Sequence, residues 1–105
     1  MGSLLNGRFH GQGSASIKGK KIVYYGDWED GKYQGKGKME TPAWKYEGEW
    51  LFNRFHGEGI WTAANGDEFT GQFELGLRHG NGKFVYADTQ LVLLGQWERD
   101  RHVEL

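Results

Sequence analysis

Where apolar and polar positions alternate along this chain, they do so with a period of two. In Tyr46-Glu47-Gly48-Glu49-Trp50 the tyrosine, glycine and tryptophan project to one side and the two glutamates to the other. Gly57, Gly59 and Trp61 share a face in the same way, with Glu58 and Ile60 opposite, and Met39 and Phe84 stand where Trp61 does. No stretch combines a 3.6-residue apolar period with ordinary helix caps. The pattern predicts strands throughout, with rings and glycines on one face and mostly polar groups on the other. Six-residue hairpin loops such as Glu29–Gln34 and tight turns such as Ala64-Asn65-Gly66-Asp67 are expected to join them.

The strands belong to a repeat. The glycines of Gly26-Asp27-Trp28, Gly48-Glu49-Trp50, Gly71-Gln72-Phe73 and Gly95-Gln96-Trp97 are 22, 23 and 24 residues apart. Two positions before each stands Tyr24, Tyr46, Phe69 or Leu93, and eight positions after stands Gln34, His56 or His79, followed by Gly-x-Gly. His10-Gly11-Gln12-Gly13 is the back half of a further unit, and the last unit keeps Gly95 and Trp97 but lacks the Gly-x-Gly. This divides the chain into one array: a partial repeat over 1–23, repeats over 24–45, 46–68 and 69–92, and a degenerate cap over 93–105. Atypical terminal units are what a stacked array uses as caps.

The run from Tyr46 to Gly59 resembles the MORN (membrane occupation and recognition nexus) repeat, Tyr-x-Gly-x-Trp-x-x-Gly-x-x-His-Gly-x-Gly. The resemblance implies an all-β fold, an open and elongated antiparallel sheet of tandem hairpins in one twisted layer. Two strands per unit gives roughly ten strands. A tryptophan on one strand is expected to lie over the missing side chain of a neighbouring glycine, burying ring and backbone together. A lone hairpin is not stable in water, so the units must fold by stacking.

Composition sharpens this. The chain has 18 glycines, one proline and no cysteine, and 15% of its residues are aromatic. A disulfide framework and thiolate metal sites are excluded. No basic-then-apolar leader is read at Met1-Gly2-Ser3, and no apolar run approaches the roughly 20 residues that span a bilayer. A cytoplasmic location is expected, and the family resemblance adds the cytoskeleton or the membrane cortex. Net charge is −1, but residues 1–45 carry eight basic against four acidic groups and residues 46–105 five against ten. That imbalance can steer association and is too mild for nucleic-acid binding.

A sheet face without a covering layer predicts a groove. Its floor would be Tyr24, Trp28, Tyr46, Trp50, Trp61, Phe69, Phe73, Phe84 and Trp97, and its occupant a helix or extended peptide of a protein partner. The segment Leu91-Val92-Leu93-Leu94 is apolar on both faces. As the last edge it is a candidate for pairing two copies into a homodimer. An alternative is an anionic phospholipid or phosphoinositide surface. Arg8, Lys32, Arg54 and Arg78 lie beside apolar residues in successive loops, about 10 Å apart across stacked hairpins. Acidic Glu29, Asp30, Glu74 and Asp100 sit in the same loops.

Chemistry motifs do not converge. His10, His56 and His79 recur at repeat spacing, about 10 Å between neighbours, and cannot share a metal. Each is expected to bond loop backbone through its ring, as Gln34 would. The Gly-x-Gly pairs lack the helix and Gly-Lys-Ser/Thr of a phosphate loop. No metal, cofactor or catalytic set is expected, and the reading is a binding or scaffolding module. MORN repeats also accompany catalytic domains such as lipid kinases and lysine methyltransferases, which leaves a regulatory piece of a larger enzyme as a further alternative.

Overall fold

The computed structural model describes residues 3–5, 8–17 and 19–103, with side chains from His10 onward. The strands are β1 (Ser3–Leu5), β2 (Arg8–Ile17), β3 (Ile22–Glu29), β4 (Lys32–Glu40), β5 (Trp44–Leu51), β6 (Arg54–Ala63), β7 (Glu68–Glu74), β8 (Leu77–Val85), β9 (Val92–Glu98) and β10 (Arg101–His102). All ten form one antiparallel sheet in chain order. The expected open array of hairpins is what the chain adopts. Its extents are 49 × 27 × 15 Å, a ribbon one sheet and one side-chain layer thick.

A seam of glycines crosses eight of these strands. Gly13 pairs with Gly26, Gly26 with Gly37, Gly37 with Gly48, and the series continues through Gly59, Gly71 and Gly82 to Gly95. The rings explain it. A Cβ on Gly37 would lie 2.1 Å from the Tyr24 hydroxyl, one on Gly59 2.2 Å from the Tyr46 hydroxyl, and one on Gly82 2.2 Å from Cζ of Phe69. Tyr and Phe therefore cover most of the seam, where tryptophan was expected, and Trp97 joins Phe69 over Gly82, its Cδ1 3.2 Å from an added Cβ. The indoles reach back instead: Trp28 Nε1 donates to the Gly13 carbonyl at 3.1 Å and Trp50 Nε1 to the Gly37 carbonyl at 3.0 Å.

The first glycine of the Gly-x-Gly serves a bulge. Between Gly26↔Gly37 and Trp28↔Tyr33, Asp27 alone faces Gln34, Gly35 and Lys36. The same irregularity sets Glu49 against 56–58 and Gln72 against 79–81. The lone residue caps the bulge: Lys36 N–H donates to Asp27 Oδ2 (3.0 Å), Glu58 N–H to Glu49 Oε2 (2.7 Å) and Asn81 N–H to Gln72 Oε1 (2.8 Å). Gly57 sits there at φ +69°, a left-handed conformation that glycine adopts without steric cost.

Hairpin tips are tighter than the expected six-residue loops. The strands run on through Glu29 and Lys32, leaving two-residue turns at Asp30-Gly31, Phe52-Asn53, Leu75-Gly76 and Arg99-Asp100. Both residues of each have positive φ, the geometry of a type I′ turn.

Candidate binding surfaces

The ring-bearing face is closed. Eight of the nine residues expected to floor a groove, Tyr24, Trp28, Tyr46, Trp50, Phe69, Phe73, Phe84 and Trp97, are between 0% and 9% exposed and form the core; Trp61 packs against them half-buried. Rings from the hairpin ends lie back over the seam. Tyr33 stacks on Tyr24 and Phe55 on Tyr46, both with centroids 4.0 Å apart, while Trp50 stands edge-on to Tyr24 and Tyr46. Such pairs add about 0.5–1.5 kcal/mol each beyond the area they bury. The groove expected on this side is corrected to a core that the chain seals with its own rings.

Polar atoms inside that core mostly have partners. The Tyr24 hydroxyl donates to the Asp27 carbonyl (2.7 Å) and the Tyr46 hydroxyl to the Glu49 carbonyl (2.8 Å). Burial, with a smaller push from the nearby Asp27 or Glu49 charge, raises both hydroxyls well above the ordinary tyrosine pKa of 10.0. His56 Nδ1 and Trp97 Nε1 are buried without a hydrogen-bond partner among the described residues. The shared histidine role therefore does not hold. Gln34 Oε1 accepts the Phe52 N–H at 3.1 Å, whereas His79 Nε2 lies 3.5 Å from Glu74 Oε2 and His56 Nδ1 bonds nothing.

Arg78 also leaves its expected place. It pairs with Phe73 as Tyr33 pairs with Trp28 and Phe55 with Trp50, so it holds the position of a stacking ring. Its guanidinium lies 5.8, 5.2 and 4.7 Å from the Phe69, Phe84 and Trp97 centroids. Nε meets Asp100 Oδ1 at 3.1 Å and Nη2 donates to the Asp100 carbonyl at 2.8 Å. A cation held by three rings and a carboxylate is not offered to a lipid headgroup. Lys32 and Arg54 remain exposed, Leu77 takes their place in the next hairpin, and the Arg8 side chain lies outside the described residues.

The tips present something else. Phe52 and Leu75 are 62% and 60% exposed, and Leu77 is exposed beside them. Phe52 (φ 48°) and Leu75 (φ 52°) hold left-handed conformations that bulky side chains rarely adopt. Lys32 Nζ lies 5.6 Å from the Phe52 ring.

The opposite, polar face holds a trench of about 810 Å³ running over Gly26, Gly37, Gly48 and Gly59. One wall is a row of paired residues, Tyr25, Lys38, Glu47, Ile60 and Thr70, one from each strand β3 to β7. Gln12, Asp27, Lys36, Glu49 and Glu58 form the other wall. Tyr25 is 62% exposed and Ile60 is exposed with it, unlike any ring of the core.

At the C-terminal end, Leu91, Val92 and Leu94 are exposed and Leu93 packs half-buried on the core. β10 pairs only with Glu98 and Trp97. Among the described residues, Val92–Leu94 carry no strand on their outer side, although the Leu94 carbonyl meets His102 Nε2 at 2.8 Å.

Inspection of the sequence missed the bulge caps Asp27, Glu49 and Gln72 and the tip residues that clasp the preceding hairpin. Asn53 Oδ1 accepts the Tyr33 N–H (2.9 Å) and Asp100 Oδ1 the Arg78 N–H (2.7 Å). Their fixed offset from each seam glycine was the available signal.

Comparison with known proteins agrees with this architecture. A family model described as MORN repeat matches residues 1–15, 24–44, 46–68 and 69–90. The chain is 29% identical over 110 residues to alsin of Rattus norvegicus and 28% identical to alsin of Homo sapiens, with 95% of the chain aligned in each case. It spans about 7% of the length of these curated relatives.

Proposed function

The chain belongs to the MORN repeat family, a family of non-catalytic membrane- and protein-interaction modules, and on that premise we propose that it binds a protein segment in its polar-face trench. The observation that carries this reading is the contrast between the two faces. The eight core rings of the aromatic face are buried, and Tyr33, Trp44, Phe55, Trp61 and Tyr86 lie half-buried against them, so that face offers no open floor to dock a partner. The trench is concave, keeps Tyr25 and Ile60 exposed, and has polar groups along both walls. An accessible concavity with a few apolar anchors and ordered polar groups is the usual form of a recognition site. The test compares capture of partners by the wild type, Tyr25→Glu and Ile60→Glu, each checked for native circular dichroism. Partners retained by both variants would refute the trench as the site.

The exposed tips favour a second reading, contact with an anionic membrane. Phe52, Leu75 and Leu77 would enter the headgroup layer beside Lys32 and Arg54, in place of a pure ladder of cations. Vesicle co-sedimentation should then fall for Phe52→Ser/Leu75→Ser. Binding unchanged by those substitutions would remove this reading. Self-association through Val92–Leu94 is a further element of the proposal. Leu94→Lys should convert any dimer seen by analytical ultracentrifugation to monomer.

A further inference from the structure

The trench walls carry an order of chemistry that runs strand by strand. β3 contributes Tyr25, β4 contributes Lys36 and Lys38, β5 contributes Glu47 and Glu49, and β6 contributes Ile60 with Glu58. Register sets these groups side by side: Tyr25 faces Lys38, Lys38 faces Glu47, and Glu47 faces Ile60, while Lys36 faces Glu49. Read across the sheet, the sequence is apolar, basic, acidic, apolar.

Spacing selects the shape of a complementary ligand. Neighbouring strands lie about 4.8 Å apart, so the four stations span about 14 Å. An α-helix rises about 5.4 Å per turn, and three turns cover about 16 Å. A helix laid across the strands therefore offers roughly one side chain per strand from one face, at i, i+3 or i+4, i+7 and i+11. The mismatch of about 2 Å over the whole length is within the reach of side-chain rotamers. An extended peptide advances about 3.3 Å per residue, alternates its faces, and meets this pitch poorly.

Taking the trench as the binding surface, we infer that its occupant is an amphipathic helix bearing an apolar, an acidic, a basic and an apolar residue on successive turns of one face. The acidic residue meets Lys36 and Lys38, the basic residue meets Glu47, and the two apolar residues lie against Tyr25 and Ile60. Several of the polar groups are already committed, and this orders their roles. Glu49 and Asp27 cap bulges through Oε2 and Oδ2, and Glu58 Oε1 accepts from Gln72 Nε2 at 3.2 Å. Lys38 lies 3.3 Å from Glu40 at the exposed rim, a pair easily exchanged for a partner carboxylate. Charge order of this kind sets specificity, because like charges brought together across an interface are strongly disfavoured.

The test uses the intact chain and four-turn synthetic helices identical except at the two charged stations: acid–base, acid–acid and base–base. Fluorescence anisotropy should show the acid–base helix binding at least about tenfold more tightly than either like-charged helix. In Lys36→Glu/Lys38→Glu the base–base helix should become the tightest ligand. If all three helices bind alike and Ile60→Asp abolishes each, the charge order is wrong while the trench remains a binding site. A preference that survives the double substitution also overturns the inference. If no helix binds, or if binding ignores Ile60→Asp, both the inference and the trench reading fall.

Discussion

The hairpin β5–β6 and the hairpin β7–β8 solve the same packing problem with different chemistry. In the first, Tyr46 covers Gly59, its hydroxyl bonds the Glu49 carbonyl, and Phe55 stacks above it. In the second, Phe69 covers Gly82 with no hydroxyl, and Arg78 replaces the stacking ring, held by Asp100 from the next tip. What persists between them is shape: a flat ring over a glycine, with a second planar group lying on it. Hydroxyl, ring or guanidinium are interchangeable so long as the layer stays flat.

The largest expected effect removes a ring. Trp50→Ala deletes edge contacts with Tyr24, Tyr33, Tyr46 and Phe55 and the bond to the Gly37 carbonyl, and should cost about 3–5 kcal/mol in urea unfolding. Phe73→Ala lacks an indole bond to lose and should cost less. Gly59→Ala comes next. Its Cβ would meet a hydroxyl anchored by a hydrogen bond, and a loss of about 1–3 kcal/mol is expected by the same measurement. Asp100→Ala frees the guanidinium of Arg78 at a half-exposed site and should cost about 1 kcal/mol. In Arg78→Phe, which restores the ring of the other hairpin, the same substitution should cost less.

Tyrosine ionisation separates the two hairpins further. The raised pKa of Tyr24 and Tyr46 means the folded state keeps their neutral forms. Their contribution is complete below pH 10.0, the unfolded value, and is lost as pH climbs above it. Alkaline unfolding followed by tyrosinate absorbance should therefore begin above that pH, and Tyr46→Phe should flatten it while costing about 1 kcal/mol at neutral pH. The smallest effect is a gain. Phe52→Asn places at a left-handed tip a residue that tolerates it and should add about 0.5 kcal/mol in the same denaturation assay.

The repeat phase, the two-residue alternation and the strand count could be read from the chain because glycines mark every unit at nearly constant spacing. The closure of the aromatic face could not. It depends on Asp27, Glu49 and Gln72 each facing three residues of the next strand, and hydrophobic pattern is silent about such bulges. By charge Arg78 groups with Lys32 and Arg54, whereas counting seven from Gly71 puts it with Tyr33 and Phe55. Of the tips, Asp30-Gly31 carries a pair that advertises a type I′ turn and its two-residue turn was legible, whereas Phe52-Asn53 and Leu75-Gly76 carry no such pair.

The seam has a consequence for cutting and splicing this molecule. Each covering ring leans forward onto the following strand, while the indoles of Trp28 and Trp50 reach back to the preceding one. A break within a hairpin thus strips a roof, and one ahead of β3 or β5 severs a tether. Only an excision of one whole period, rejoining glycine to glycine in phase, should leave a shorter ribbon with its interior intact.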